Sequence, residues 1–211
     1  FGIVVTQTIT TPFTSHFVQL LLMQINSVGA ISFQGTSLEL SVSAPYTAAD
    51  VVVRVDLPVG APMFVVVYQN GTSVFARAAN LSFVSPAQPL WTGTATTQFS
   101  EPAVSRAAGA DGRLMAVAVR HSGASYAIVG LALDAALGTP IVGRDLVANT
   151  PNVLRHPDVD GFAGRWLVAC EDAGGGLVLA NVRVLTVTVD PVPTTINLGA
   201  SIGFGASLTS L

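Results

Sequence analysis

The chain contains no lysine, and few of its 211 residues carry a charge of either sign. All nine basic residues are arginine, they form no basic run, and the formal net charge is −3. Phosphate binding requires clustered cations, so the sequence predicts no nucleic-acid partner. Charged residues make up 10% of the chain and hydrophobic residues 50%, whereas about 25% of an average soluble domain is charged. Three explanations stay open: a surface rich in Thr, Ser and Gly, a GC-rich genome, or outer surface that is buried against neighbouring molecules.

Cysteine and long apolar runs are also scarce. Cys170 is the one cysteine, which excludes an internal disulfide, and its apolar neighbours predict a buried small side chain. The longest apolar run, 17–25, is short and contains two glutamines, so no membrane span is predicted. No basic start is followed by an apolar block, as in a signal peptide. The missing initiator Met predicts either a processed N-terminus or the edge of a fragment, and a C-terminal pattern that stops abruptly favours a fragment of a longer protein.

No segment has a convincing helical pattern, because Gly, Pro, Thr and Val are spread evenly along the chain. The sequence therefore predicts an all-β fold. Residues 3–10 are mostly β-branched and end before Pro12, which is typical of a strand. Residues 38–43 alternate apolar and polar side chains, as a half-exposed strand does. We divide the chain into an N-terminal β-strand segment, 1–48, and a β-repeat domain, 49–211.

The β-repeat domain contains segments that align without gaps at a spacing of 52 residues, namely 64–76, 116–128 and 168–180. Each segment is two apolar strands joined by a polar turn that contains glycine, which predicts one hairpin made three times. The turn glycines are Gly71, Gly123 and Gly175, and three leucines also fall in register, Leu81, Leu133 and Leu185. The predicted units are about 49–98, 99–153 and 154–211. A unit of this length is about four short strands, the size of a propeller blade.

A second marker opens two of the units. It is the run 101–104 (EPAV) and, 55 residues later, the run 156–159 (HPDV). In the last unit this marker is followed first by a short loop, then by the run 165–172 (RWLVACED), and then by a glycine-rich turn. Proline suits a strand edge or the first residue of a strand.

This pattern resembles the propeller-type repeats, roughly 50 residues long, of large secreted bacterial proteins. Those repeats usually read Pro-x-Val and then Tyr/Phe-Leu-Val-Ala-Trp-Glu, and Cys170 stands where the family often has Trp. The resemblance covers residues 100–190 well and 50–100 loosely. It implies repeated antiparallel β-units, a β-propeller-like fold that is partial or a fragment, and an extracellular or cell-surface location. A β-sandwich is the alternative architecture.

Residues that could carry chemistry are few. Asp158 and Asp160 resemble part of a calcium loop, but further oxygen ligands at the required spacing are missing, so a polar inter-strand loop is favoured. Glu171 and Asp172, with these two, could supply paired carboxylates for glycoside hydrolysis. Neighbouring residues of a strand point to opposite faces, however, so Glu171 and Asp172 are not expected to share a site. We predict no catalytic residue, no metal, no cofactor and no enzyme activity.

Three further residues are candidates for binding or modification. Trp91 is predicted to lie in a proline-rich loop and could stack on a sugar ring, although packing within or between units is the simpler explanation. Asn70 and Asn80 open Asn-x-Thr and Asn-x-Ser triplets, which are acceptor patterns for N-glycosylation.

The leading functional prediction is a non-catalytic extracellular structural or adhesive β-module. It would self-associate or pack with other surface proteins in a larger assembly. Low charge, high apolar content and a β-branched N-terminal segment that could pair with a neighbour's sheet edge support this prediction. Two alternatives remain open: a carbohydrate-binding or glycoside-hydrolysing β-propeller with a glycan partner, and a virion or appendage subunit.

Overall fold

A computed structural model describes residues 2–9, 15–42, 49–53, 64–79, 85–105, 113–134, 140–162, 165–173, 181–189 and 196–205. Every regular element in these ranges is a β-strand, which confirms the all-β fold class. No helix of the described segments is long and apolar enough to cross a bilayer.

The strands form four antiparallel sheets, and in each sheet strands that follow one another in sequence are neighbours. Sheet 1 contains β1 (Gly2–Ile9), β2 (Ser15–Ile25) and β3 (Ile31–Val42). Sheet 2 contains β4 (Ala49–Val53), β5 (Phe64–Asn70), β6 (Ser73–Ala79) and β7 (Gln88–Trp91). Sheet 3 contains β8 (Thr97–Val104), β9 (Leu114–Ser122), β10 (Ser125–Leu133) and β11 (Pro140–Thr150). Sheet 4 contains β12 (Val153–Phe162), β13 (Arg165–Ala173), β14 (Asn181–Val189) and β15 (Ile196–Gly205).

The central hairpins of sheets 2 and 3 have the same turn. Each has two turn residues, 71–72 and 123–124. Gly71 has φ 61° and Gly123 has φ 59°, in the left-handed region that glycine adopts without a Cβ penalty. The predicted equivalence of these two glycines is confirmed. Gly175 and Leu81, which belong to the same predicted pattern, lie outside the described residues.

The central hairpin of sheet 4 departs from strict repetition. Leu133 pairs with Leu114 in sheet 3, so a spacing of 52 would place Leu185 opposite Trp166. Leu185 instead pairs with Val168. The predicted register of Leu185 is therefore wrong by two residues, which corresponds to a longer connection between β13 and β14.

The first strand of each central hairpin has two faces, and residues 52 positions apart lie on equivalent faces. In sheets 2 and 3 we call the face turned toward the next sheet the leading face, and in sheet 4 the equivalent face has the same name. It contains Val65 and Val67 in sheet 2, Met115, Val117 and Val119 in sheet 3, and Leu167, Ala169 and Glu171 in sheet 4. The opposite face is the trailing face, with Phe64, Val66 and Tyr68 in sheet 2, Leu114, Ala116 and Ala118 in sheet 3, and Trp166, Val168 and Cys170 in sheet 4.

Successive sheets stack with a leading face on a trailing face. Val65 and Val67 share a buried cluster with Leu114 and Ala116. The leading face of sheet 3 shares a second cluster with the trailing face of sheet 4. In the same order, Val18 and Leu20 of β2 pack on the trailing face of sheet 2, so they form the leading face of sheet 1. Burying each valine or leucine side chain in these clusters contributes about 1.5–3 kcal/mol. Because each cluster lies between two successive sheets, the hydrophobic core is a series of layers.

Candidate functional site

The two proline markers form the same irregularity in sheets 3 and 4. Residues 101–102 oppose the single residue Ala118, and residues 156–157 oppose Cys170, so each marker is a β-bulge. Glu101 has φ 51° and His156 has φ 45°. A left-handed conformation costs a residue with a Cβ roughly 1–2 kcal/mol, and the surrounding structure must hold it.

Side-chain carboxylates link the first strands of successive sheets, and one of these links joins the two bulges. Asp50 Oδ2 in β4 accepts a hydrogen bond of 2.9 Å from the backbone N–H of Val104 in β8. Glu101 Oε2 in β8 accepts one from the backbone N–H of His156 in β12. His156 Nδ1 in turn lies 3.2 Å from Glu171 Oε2. Hydrogen bonds to a charged acceptor contribute about 1.5–3 kcal/mol when they are shielded from water, and less when they are exposed. The bulges position Glu101 and the N–H of His156 for the second of these links.

Asp50 has a perturbed acidity. Burial raises the pKa of its carboxyl group, the N–H groups of Val104 and Val51 lower the pKa, and the negative charge of Asp158 raises it. Burial has the largest effect, so the net pKa is above the ordinary value. We call Asp50, Glu101, His156, Asp158 and Glu171 the first-strand cluster, because all but Glu171 lie on β4, β8 or β12.

The first-strand cluster does not form a metal site. Within the ranges that the structure describes, no group of three or more His, Cys, Asp or Glu side chains is arranged to hold a metal ion. Asp158 Oδ1 accepts the N–H of Val159 and Asp160 Oδ1 accepts the N–H of Gly161, both at 2.8 Å. The predicted inter-strand loop at this point is wrong, because both aspartates lie within β12.

Glu171 and Asp172 lie on opposite faces of β13, as predicted. Glu171 is half-buried on the leading face and contacts His156. Asp172 is 4% exposed, and its Oδ1 accepts a 2.9 Å hydrogen bond from Asn152 Nδ2. Cys170 is buried between sheets 3 and 4, which confirms its predicted burial. Glu171 and Asp172 therefore do not supply a carboxylate pair.

The predicted loop at Trp91 is wrong, because Trp91 is the last residue of β7, where it is half-buried. Its ring stacks on that of Phe99, with centroids 6.1 Å apart and planes inclined by 14°. It also packs against the buried clusters between sheets 2 and 3. One ring face is thus occupied by Phe99, which favours packing between units over stacking on a sugar.

The two candidate glycosylation sites differ in what the structure says of them. Asn70 is half-buried, ends β5 and pairs with Ser73 across the turn. Asn80 lies outside the described residues. Modification of either asparagine stays a prediction.

Two uncovered faces at the ends of the series of sheets were not predicted from the sequence. On the leading face of sheet 4, Leu167 is 54% exposed, whereas its equivalent Met115 is fully buried. On the trailing face of sheet 1, opposite Val18 and Leu20, Ile25 is 55% exposed and Ile31 and Phe33 are each 60% exposed. The alternation of apolar and polar residues in 165–173, set against the continuous apolar run 114–119, is the signal that could have found the first face.

Comparison with known proteins identifies no relative of this chain. No protein-family model matches the sequence, and no curated protein and no solved structure is significantly similar to it. The resemblance to propeller-type repeats therefore remains a prediction.

Proposed function

We propose that the chain is a non-catalytic structural or adhesive module, extracellular or on the cell surface, that self-associates or packs with other surface proteins. Its architecture would be β-propeller-like. The observation that carries this proposal is the pair of uncovered faces at the two ends of the series of sheets. The following geometry supports each part.

A propeller-like arrangement is supported by the way the sheets are built and stacked. Sheets 2, 3 and 4 each contain four consecutive antiparallel strands, as a blade does. Their first strands, β4, β8 and β12, contact one another in sequence. A two-layer sandwich distributes its strands over two packed sheets, whereas four sheets in series are what repeated blades predict.

Association is supported by the physics of repeats. A unit that stacks only on its neighbours leaves its terminal faces without a partner, and soluble repeat proteins cover such faces with polar residues. Here the trailing face of sheet 1 presents Ile25, Ile31 and Phe33 to solvent, and Val28 at the adjoining turn is 83% exposed. Contiguous apolar surface of this kind marks an interaction site.

Sedimentation velocity over a concentration series tests the proposal. A self-associating module shows a mass that rises with concentration above the 21.7 kDa of one chain. A single species of that mass at every concentration, up to the solubility limit, would contradict self-association.

A carbohydrate-active β-propeller is the second candidate, and the first-strand cluster favours it. A carboxyl group with a raised pKa, here Asp50, is a property of general acids in glycoside hydrolysis. A screen of glycan binding and hydrolysis tests this function, with the Asp50→Asn variant as control. Binding or turnover that Asp50→Asn leaves unchanged would exclude this cluster as the site.

A further inference from the structure

We propose that the leading face of sheet 4 in one copy binds the trailing face of sheet 1 in a second copy, so that the chains associate head to tail. This inference rests on the proposed self-association and names the two faces that carry it. The contact would continue, between copies, the stacking that joins sheets 1 to 4 within one copy.

The leading face of sheet 4 is equivalent to a face that is covered inside the chain. In sheet 3, Met115 and Val117 are fully buried against the trailing face of sheet 4. Leu167 and Ala169 lie 52 residues later on the same face of the equivalent strand, where Leu167 is 54% exposed and Ala169 is half-buried. The repeat therefore places an interface-type surface at this end of the molecule without its partner.

Charged residues surround Leu167 on this face. Asp160 pairs with Leu167 and Asp158 pairs with Ala169, so both aspartates share their face. Arg165 lies two residues before Leu167 on the same face and is exposed. An apolar centre with a polar rim is the usual composition of an interface between proteins that also exist apart.

The trailing face of sheet 1 is also exposed and apolar near the turn of its second hairpin. Ile25 pairs with Ile31 and Met23 pairs with Phe33, so these four side chains share one face. Residues 17–34 contain no charged side chain. This face is the one trailing face, among the four described sheets, on which no leading face of the chain is stacked.

The turn at the end of this hairpin is well defined. Asn26 Oδ1 accepts hydrogen bonds from the N–H groups of Val28 and Ala30, at 3.0 and 2.8 Å. Gly29 has φ 81°, which suits glycine. The apolar face is therefore presented by a pre-organised hairpin, which lowers the entropic cost of binding.

A second copy is the occupant that these observations favour, because one chain carries both unmatched faces at opposite ends. Each copy thus supplies the face that the other lacks. Such an interface is heterologous, and it generates rings or open chains of copies. Pairing of two sheet 1 faces would instead leave Leu167 uncovered.

The test uses the full chain with Leu167→Glu on one face and Phe33→Glu on the other. Each variant alone is expected to raise the dissociation constant at least about 30-fold, as the loss of a central interface residue does. An equimolar mixture of the two is expected to form one-to-one pairs, because the intact sheet 4 of Phe33→Glu meets the intact sheet 1 of Leu167→Glu. Ile141→Glu, at a site 40% exposed on β11 and outside both faces, is the matched control and should associate like the parent chain.

Sedimentation velocity distinguishes the outcomes. A parent chain that stays monomeric contradicts the proposed self-association, and with it the head-to-tail contact. A parent chain that associates while either variant associates equally well, or while the mixture stays monomeric, overturns the head-to-tail contact alone. Circular dichroism checks folding, and Leu167→Asn and Ile31→Asn replace any glutamate variant that does not fold.

Discussion

Sheets 3 and 4 are the same repeated unit, but sheet 3 is stacked between two sheets and sheet 4 is stacked on one. Comparing them separates the features that come from the repeat from those that come from stacking against a neighbouring sheet. Both have four antiparallel strands, a bulge at a proline marker and an apolar trailing face. In β9 the residues 114–119 are all buried, whereas β13 alternates between buried and more exposed positions. The alternation arises because sheet 4 has one covered face and sheet 3 has two.

The residue types at equivalent positions also differ according to whether the face is covered by another sheet. Glu171 is equivalent to Val119, 52 residues earlier in sheet 3. Asp158 is equivalent to Ala103, because the two proline markers are 55 residues apart. Val119 and Ala103 are buried, and Asp158 is exposed. A carboxylate is tolerated at these positions in sheet 4 because no further sheet of the chain is stacked there.

Truncation of equivalent residues tests most directly whether the leading faces of sheets 3 and 4 differ in burial. Met115→Ala should lower the free energy of unfolding by about 2–5 kcal/mol, because a fully buried side chain leaves a cavity. Leu167→Ala should lower it by less than about 1 kcal/mol, because half of its side chain is already in water. Urea unfolding of both variants at a concentration where the chain is monomeric measures the difference. Equal losses would mean that the two faces are covered alike.

The two carboxylate links between first strands should differ in strength. Asp50→Ala should cost about 1–3 kcal/mol, because it removes the acceptor of the N–H of the buried residue Val104. Glu101→Ala should cost less, about 0.5–1.5 kcal/mol, because His156 is exposed and water can replace the carboxylate. Denaturant unfolding of the two alanine variants compares them. A larger loss for Glu101→Ala would contradict the importance of burial at this link.

The hairpin turns of sheets 2 and 3 should respond identically. Gly71→Ala and Gly123→Ala should each lower stability by about 1 kcal/mol, because alanine at positive φ is strained. A Cβ at Gly123 would meet no atom within 4 Å, so the cost there is conformational and not steric. Thermal unfolding measures both variants. A difference above about 1 kcal/mol would contradict the equivalence of the two turns.

The smallest effect concerns pH. Because the pKa of Asp50 is raised in the folded chain, the folded state binds its proton more tightly than the unfolded state does. Asp50 therefore contributes stability below its unfolded pKa, about 3.9, and this contribution is lost as pH rises through the folded pKa. Asp50→Asn should remove this decline, which urea unfolding can detect in a pH series that starts below the unfolded pKa and rises to neutral pH. A steeper decline in the variant would contradict the raised pKa.

Much of the fold could be predicted from local sequence. Asn-Gly and Ser-Gly turns flanked by apolar runs identify the hairpins, since few residues adopt positive φ, and Gly71 and Gly123 have the expected conformation. The proline markers indicated a repeated strand feature, which is the bulge in β8 and in β12. The shifted register of Leu185 could not be read from leucine spacing, because the length of the connection before β14 decides it.

The candidate site was less predictable because it depends on contacts between distant residues. Glu101 reaches the backbone of His156, 55 residues away, and no local pattern encodes that hydrogen bond. The residues around Trp91 have the composition of a loop, yet Trp91 stacks on Phe99 and packs against the buried layer between sheets 2 and 3. Which face of a sheet is covered is a property of the stacking, so Phe33 could be recognised as uncovered only once the order of the sheets was known. For Leu167 the alternation of apolar and polar residues in 165–173 was the available signal.

The reactivity of the thiol of Cys170 tests the stacking of sheets most directly. This residue lies on the trailing face of sheet 4, 2% exposed, beneath the leading face of sheet 3. A Leu167→Cys variant in a Cys170→Ala background places a thiol three residues away on the opposite face of β13. In dilute native protein the account predicts that the thiol at position 167 reacts with a thiol reagent as fast as a free thiol, while Cys170 reacts at least about 100-fold more slowly, through local opening. Equal rates at the two positions would contradict the stacking of sheet 3 on sheet 4.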